Sequence, residues 1–111
     1  MVRVPSLIDW MGMSTAAWVE FSRRSPIKRA KRRGFLRNVA VALGNSGDPA
    51  AVPVLSRSLS DDEPLVRGHA AWALGRIGSR DGLAPLLDRV AIEEDEWVSS
   101  ELRAAIATFP A

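Results

Sequence analysis

The amino-acid sequence predicts an all-α protein, a single domain over residues 1–111 built as a short helical-repeat solenoid of about six helices. The main observation is an internal repeat: residues 51–66 (AVPVLSRSLSDDEPLV) align with residues 83–98 (LAPLLDRVAIEEDEWV) at an offset of 32. The segments ALGNSG (42–47) and ALGRIG (73–78) align at an offset of 31. Repeats of this length with helical periodicity are typical of stacked helix pairs. No sustained alternation of apolar and polar residues predicts a strand.

The first elements are expected to cover the N-terminal end of the solenoid. Residues 3–13 read as a short amphipathic helix or turn, and Ser14 offers an N-cap for a helix that runs through Phe21. The terminal units of a repeat array need such a cover. We therefore expect Trp10 and Trp18 to pack over the core, although these rings could instead stack on nucleic-acid bases.

The next helix begins the repeat region, which we assign to residues 26–111, with residues 1–25 as capping and connecting helices. Ser25 can accept a hydrogen bond from a free backbone N–H and Pro26 has no N–H to lose, so the pair predicts a helix start. Gly44 is expected to end this helix in a left-handed conformation. By the same pattern, four glycines are expected in inter-helix turns: Gly44, Gly47, Gly75 and Gly78.

Each following unit should consist of a first helix, an acidic turn, a second helix and a glycine turn. Asp48 and Asp81 are expected to cap the starts of the first helices. The second helices each have one apolar face rich in small residues, which predicts that they pack closely side by side. Arg67 follows an acidic turn and is expected to pair with Asp61 or Asp62.

Charge is distributed unevenly along the chain. Residues 1–37 carry nine basic against two acidic residues, a net charge of +7, whereas residues 38–111 carry six against eleven, a net charge of −5. A basic block beside an acidic body predicts a surface for an anionic partner, the alternative being a solvated charged helix. Eight basic residues without an acid between them favour the first interpretation: Arg23, Arg24, Lys28, Arg29, Lys31, Arg32, Arg33 and Arg37.

Two of these basic residues conflict with the apolar face of their own helix. Lys28 and Arg32 fall on the same side of the helix as Phe35 and Val39 at 100° per residue. Unpaired charges could not be buried there. The helix is therefore expected either to kink at Gly34 or to extend beyond the core, and in both cases the basic side chains would remain in water.

A second candidate surface lies on the second helices, where His69, Trp72 and Arg76 recur at i, i+3 and i+7 beside the apolar face. The 31-residue offset maps the first and last of them onto Asn38 and Asn45. Second helices usually line the concave face of a curved solenoid, so these polar side chains could contact phosphate, ribose or bases. The alternative is that Trp72 packs between repeats and His69 is a solvated helix residue.

The composition argues against chemistry in this chain. Cysteine is absent, which excludes disulfides, iron–sulfur ligation, thiolate metal sites and cysteine nucleophiles. The single histidine has no catalytic or metal-binding partner in the sequence, and no phosphate-binding loop occurs. No run of 18 apolar residues predicts a membrane span, and no secretory peptide is evident. We therefore expect no catalytic residue, no metal and no membrane partner, and we expect a monomer.

The segment DDEPLVRGHAAWALGRIG (61–78) resembles a HEAT-like repeat of the kind seen in phycobilisome-lyase-related proteins. A longer run, SPIKRAKRRGFLRNVAVALGNSGDPAAVPVLSRSLSDDEPLVRGHAAWALGRIG (25–78), looks like the C-terminal region of bacterial epoxyqueuosine reductase. The segment 7–29 is similar to the part that joins that region to the catalytic part. The most specific portions are residues 35–38 and 44–45. The resemblance covers roughly the whole chain and implies a HEAT-like repeat domain.

That family resemblance implies a cytoplasmic enzyme that reduces epoxyqueuosine at the wobble base of tRNA, using cobalamin and two 4Fe–4S clusters. A chain of this length without cysteine is expected to lack the catalytic part, its partner in cis, and to hold no cofactor itself, and Met1 is not expected to be the native start. The expected function is a tRNA-binding accessory domain that holds the anticodon stem-loop through residues 23–37, aided by Asn38, Asn45, His69 and Arg76. The alternative is a HEAT-repeat protein–protein interaction scaffold.

Overall fold

The computed structural model describes residues 2–23 and 32–110 and confirms the all-α repeat architecture. These residues form seven α-helices and no strand. That is one helix more than the sequence predicted, because the N-terminal segment forms a helix of its own. The helices are α1 (Val4–Met11), α2 (Thr15–Ser22), α3 (Arg32–Ser46), α4 (Val52–Ser58), α5 (Pro64–Ile77), α6 (Leu83–Val90) and α7 (Glu96–Ala107).

The second helices of the repeats form the centre of the molecule. Helix α5 packs between α3 and α7, whereas α4 and α6 each pack against the helix that follows them. Helix α1 packs against α3. The apolar faces predicted for α5 and α7 are confirmed, and both are buried through Val66, Ala70, Ala73, Leu74, Val98, Leu102 and Ala105.

The starts of the helices follow the predicted capping pattern with one exception. Ser14 and Asp48 accept hydrogen bonds from backbone N–H groups at 3.0 and 2.9 Å. The prediction for Asp81 is wrong, since this residue lies inside the short 3₁₀ helix Arg80–Gly82 and Ser79 occupies the N-cap position. The offset of 31 explains the difference, because it maps Asp48 onto Ser79. The start predicted at Ser25 lies outside the described residues.

Two of the four glycines lie in turns as predicted. Gly47 and Gly78 have φ angles of 68° and 70° and directly follow α3 and α5. The left-handed region favours glycine because a Cβ atom is strained there. These two residues therefore mark the true ends of the second helices.

The prediction that Gly44 and Gly75 also lie in turns is wrong, because both are buried inside helices. A Cβ atom on Gly44 would lie 3.1 Å from Cα of Ala73, and one on Gly75 would lie 2.9 Å from Cα of Ala105. The missing side chains let neighbouring second helices approach each other closely. The pattern Leu-Gly thus marks a helix contact rather than a helix end.

The N-terminal helices cover the start of α3 with an aromatic cluster. The ring of Phe35 lies 5.3 Å from Trp18, 5.7 Å from Trp10 and 5.9 Å from Phe21, centroid to centroid. Trp18 is only 1% exposed. Both tryptophans therefore pack over the end of the core as predicted, and the buried Trp18 ring is not available for base stacking.

Candidate nucleic-acid interface

The structure describes half of the predicted basic surface. Arg24, Lys28, Arg29 and Lys31 lie outside the described residues. Arg23 is exposed directly after α2, with its Nη2 3.1 Å from Oε2 of Glu20. The remaining three basic residues of the predicted site lie in the first half of α3: Arg32, Arg33 and Arg37.

Arg32 is engaged with the first acidic turn. Its Nη2 donates to Oδ1 of Asp61 at 2.6 Å and its Nη1 donates to Oδ2 at 3.2 Å. The hydrogen bond that Arg32 donates to Asp61 raises the pKa of Arg32, although burial by itself would lower it. The side chains are only 11% and 14% exposed. The expectation that every basic side chain of this helix stays in water is therefore wrong for Arg32, because an acid from the next repeat neutralises it.

The second acidic turn holds a more buried ion-pair cluster. Nε and Nη2 of Arg67 donate to the two carboxylate oxygens of Glu93 at 2.8 and 2.9 Å. Nε of Arg89 also donates to Glu93, at 3.0 Å. The prediction that Arg67 pairs with the carboxyl group of Asp61 or Asp62 is thus wrong. Arg67 instead donates to the backbone carbonyls of these two residues, at 2.9 and 3.1 Å.

These partners keep the carboxyl group of Glu93 ionised. Its side chain is 1% exposed, and burial by itself would raise its pKa. Hydrogen bonds from Arg67, from the backbone of Asp95 and from Arg89 outweigh burial and lower the pKa to about 2. The two acidic turns therefore tie neighbouring repeats together and are not sites of acid–base chemistry.

Arg33 and Arg37 are the cations of α3 that remain accessible. The Arg33 side chain is 50% exposed, and its Nη1 lies 3.9 Å from Oε2 of Glu63, a distance too long for a strong pair. Nε of Arg37 donates to Oδ1 of the adjacent Asn38 at 3.3 Å. Arg37 is half-buried, and neither residue forms a close ion pair with a carboxylate of the described residues, so binding an anionic partner would break no buried ion pair.

The polar residues predicted on the second helices lie mostly at the surface. Asn38, Asn45 and Arg76 are exposed, and His69 is half-buried. Nδ1 of His69 lies 2.9 Å from the carbonyl oxygen of Leu65, to which it donates. The sequence-based role of these four residues as RNA contacts stays a prediction.

Trp72 packs between repeats, which confirms the alternative interpretation for this residue. Its ring lies over Gly44, where a Cβ atom would be 2.6 Å from Cζ3 of the indole. The other side of Trp72 lines a cavity of about 330 Å³ between α5 and α7. Arg76 and Glu101 line this cavity with charged side chains, and Ala104 contributes only a methyl group.

Comparison with known proteins agrees with the repeat geometry. A family model described as HEAT repeats matches residues 28–107. The chain belongs to the HEAT-repeat family. Membership explains the stacked helix pairs and the contacts between successive second helices.

This HEAT-repeat chain is similar to epoxyqueuosine reductases, which confirms the resemblance seen in the sequence. It is 44% identical to the reductase of Xanthomonas campestris pv. campestris over 76 residues, 68% of this chain and 21% of the reductase. It is 38% identical over 72 residues to an uncharacterized protein in the gldA 3′ region of Geobacillus stearothermophilus, covering 64% of this chain and 33% of that protein. The chain thus spans between about a fifth and a third of these curated relatives.

A solved structure shows the same likeness. A crystal structure of epoxyqueuosine reductase with an epoxyqueuosine-modified tRNA-Tyr stem loop has a TM-score of 0.83 at 27% identity. The match covers 95% of this chain and 28% of the reductase chain. Within residues 2–23 and 32–110 of the HEAT-repeat chain, no helix is long and apolar enough to cross a membrane.

Several important residues were not singled out from the sequence. The pairing of Arg32 with Asp61 and of Arg67 with Glu93 joins residues 29 and 26 positions apart, and no local pattern indicates the register. The repeat alignment could have identified Ala104, because an offset of 32 maps Trp72 onto it. A tryptophan replaced by alanine at an equivalent position indicates a gap in the packing.

Proposed function

We propose that this HEAT-repeat chain is the RNA-binding accessory domain of an epoxyqueuosine reductase and holds the anticodon stem-loop of a tRNA. The observation that carries the proposal is the likeness, over 95% of the chain, to a reductase crystallised with a tRNA stem loop. The net charge of +7 in residues 1–37 supports it, because contacts with phosphate dominate the affinity of proteins for nucleic acids.

The structure favours some of the predicted basic residues over others for these contacts. We assign the phosphate contacts to the basic segment 23–37 apart from Arg32, whose guanidinium is held by Asp61. Arg33 and Arg37 are the basic residues of α3 that no carboxylate of the described residues holds closely. Guanidinium and ammonium groups on phosphates fix the position of the RNA without reading its sequence. Selection among tRNAs would then come mainly from the catalytic part of the enzyme.

The chemistry is assigned to that other part. Iron–sulfur clusters are held by cysteine thiolates, and this chain contains no cysteine, so its residues do not fit such a cluster. We expect the isolated chain to be a colourless monomer that binds neither cobalamin nor iron and has no reductase turnover. We propose that the parent enzyme acts in the cytoplasm.

A second candidate function is the docking of a partner protein, and one observation supports it. Leu87, Ile92 and Trp97, near the second acidic turn, are 48%, 66% and 42% exposed. Exposed apolar side chains mark protein contacts where they form one contiguous patch, and these three residues are close in sequence. Such a contact would depend little on salt, whereas phosphate contacts weaken steeply as salt is added.

The test compares two triple variants with equal changes of charge. Lys28, Arg33 and Arg37 are replaced by Glu in one, and the exposed Arg57, Arg80 and Arg103 are replaced by Glu in the other. Binding of a fluorescein-labelled anticodon stem-loop is measured by fluorescence anisotropy at several NaCl concentrations. We expect only the first variant to lose affinity and to reduce the slope of log K against log salt by about 2 to 3.

Arg32 and Arg89 are left unchanged because each holds a carboxylate of an acidic turn. Circular dichroism and thermal unfolding establish that both variants fold. Equal losses of affinity in the two variants would contradict the proposed binding surface. Salt-independent binding of a protein partner, with no binding of the stem-loop, would favour the docking function instead.

A further inference from the structure

The two contacts between successive second helices are built on the same plan. The offset of 31 relates Gly44 to Gly75, and the offset of 32 relates Ala73 to Ala105. In the first contact a Cβ atom on Gly44 would lie 3.1 Å from Cα of Ala73; in the second, one on Gly75 would lie 2.9 Å from Cα of Ala105. Equivalent residues therefore bring the helices together at both places, and the two grooves beside them can be compared position by position.

The two grooves are filled by indoles at different positions, and in the second groove Trp97 of α7 lies over Gly68, seven residues before Gly75. The indole of Trp72 fills the groove between α3 and α5, where it lies directly over Gly44. The residue equivalent to Trp72 in α7 is Ala104. No indole covers Gly75, and a cavity of about 330 Å³ remains between α5 and α7. We call this cavity the α5–α7 slot; it lies where the preceding repeat holds a planar two-ring side chain.

The charged walls of the slot restrict what can occupy it. Arg76 and Glu101 both line it, and neither forms an ion pair with any other described residue. The carboxylate of Glu101 disfavours a phosphate, and the guanidinium of Arg76 disfavours a cation. Together they favour a neutral group that carries both hydrogen-bond donors and acceptors on its edge.

Trp72 adds a preference for a flat ring. An aromatic side chain in the wall of the slot suits stacking or edge contacts with a planar group. A volume near 330 Å³ stands at the small end of ligand pockets, enough for one base but not for an extended ligand. A purine combines two fused rings with an edge of donors and acceptors, whereas an indole offers one N–H only.

We infer that the α5–α7 slot accepts an unpaired purine base of the bound RNA. The inference rests on the proposed RNA-binding function and deepens it, because the basic segment contacts only the backbone. Single-stranded bases that unstack are commonly bound against aromatic side chains and read along their edges. Trp72 would hold the ring, and Arg76 and Glu101 would contact its edge.

The test uses the full 111-residue chain and three fluorescein-labelled hexamers: adenosine, uridine and abasic ribose, all with the same number of phosphates. Fluorescence anisotropy is expected to show that the adenosine hexamer binds about tenfold more tightly than the abasic one, as for one stacked base. The uridine hexamer is expected to bind like the abasic one.

The central variant is Ala104→Trp, which places in the slot the indole that the preceding repeat carries. We expect it to abolish the preference for adenosine while leaving the affinity for the abasic hexamer unchanged. Ala84→Trp, the same change at an exposed site on α6, is the matched control and should behave like the wild type. Arg76→Gln and Glu101→Gln, which leave the slot open, should each reduce the preference severalfold without lowering the melting temperature.

The possible failures are distinguishable. Equal affinity of the wild type for the adenosine and abasic hexamers would overturn the inference and leave the proposed function intact. Absence of binding to all hexamers and to the stem-loop at low salt would overturn both. If N-acetyl-tryptophanamide bound the wild type but not Ala104→Trp, and adenosine gave no preference, the slot would hold a protein side chain and the inference would be wrong.

Discussion

The junction between α3 and α5 and the junction between α5 and α7 share a plan but are stabilised differently. In the first, Trp72 fills the groove. The side chains of the Arg32–Asp61 ion pair there are 11% and 14% exposed. In the second, Trp97 covers Gly68 while the groove beside Gly75 is open, and Glu93 is 1% exposed between Arg67 and Arg89. The two junctions thus differ in which part of the groove an indole fills and in how deeply the carboxylate is buried.

This difference shows how a repeat can leave room for a ligand. A groove filled by an indole binds nothing, whereas a groove held together at its acidic turn can remain open. Breaking a buried ion pair leaves an uncompensated charge, which is far more destabilising than losing an exposed pair. The second junction is therefore expected to depend more on its carboxylate than the first.

The largest effect is expected for Glu93→Gln. It removes the charge that Arg67 and Arg89 share, so it should lower the free energy of unfolding by about 3 to 5 kcal/mol. The matched change in the first junction, Asp61→Asn, should cost about 1.5 to 3 kcal/mol, because this pair is less buried. Urea denaturation monitored by circular dichroism at pH 7 measures both. A larger loss for Asp61→Asn would reverse the ranking of the two junctions.

The second prediction concerns the stability of the fold at low pH. The pKa of Glu93 is lowered from 4.5 to about 2 in the folded chain, so its stabilisation is fully present above about pH 4.5 and is lost as the pH falls toward 2. The difference in unfolding free energy between wild type and Glu93→Gln should therefore narrow over this window. Urea denaturation at pH 7, 4 and 2.5 tests this. A difference that stays constant down to pH 2.5 would show that Glu93 is not the titrating group.

The third prediction concerns the helix contact. Gly75→Ala places a Cβ atom 2.9 Å from Cα of Ala105, a backbone atom that cannot rotate away, so it should destabilise the fold by about 1 to 3 kcal/mol. Gly34→Ala is the control, because its nearest neighbour is Nη2 of Arg37 at 3.9 Å. Alanine there should stabilise α3 by up to about 1 kcal/mol. If both variants lowered the melting temperature, close packing at Gly75 would not be the cause.

The smallest effect is expected from filling the open groove. Ala104→Trp should raise the free energy of unfolding by less than about 1 kcal/mol, because its ring gains apolar contacts with α5 and loses side-chain freedom. Ala84→Trp on the exposed face of α6 should leave stability unchanged. A loss of more than about 1 kcal/mol for Ala104→Trp would show that the slot does not fit an indole.

The amino-acid sequence by itself determined the helical class, the repeat and two helix starts; it placed Gly47 and Gly78 in turns but did not separate them from Gly44 and Gly75. These features depend on short-range physics: helical periodicity, capping by Ser14 and Asp48, and the preference of glycine for the left-handed region. It also indicated the concentration of positive charge before and within the first half of α3. Apart from the repeat, which compares segments 31 or 32 residues apart, each of these signals lies within a short stretch of the chain.

The tertiary structure alone decided which charges are free and where the grooves are open. Arg32 looked available until Asp61, 29 residues later, neutralised it, and Gly75 looked like a turn residue until Ala105 packed against it. The slot likewise exists because Ala104 lies where the previous repeat has Trp72. Such contacts join residues about one repeat apart, and their register is set by how whole helices pack, which no local pattern specifies.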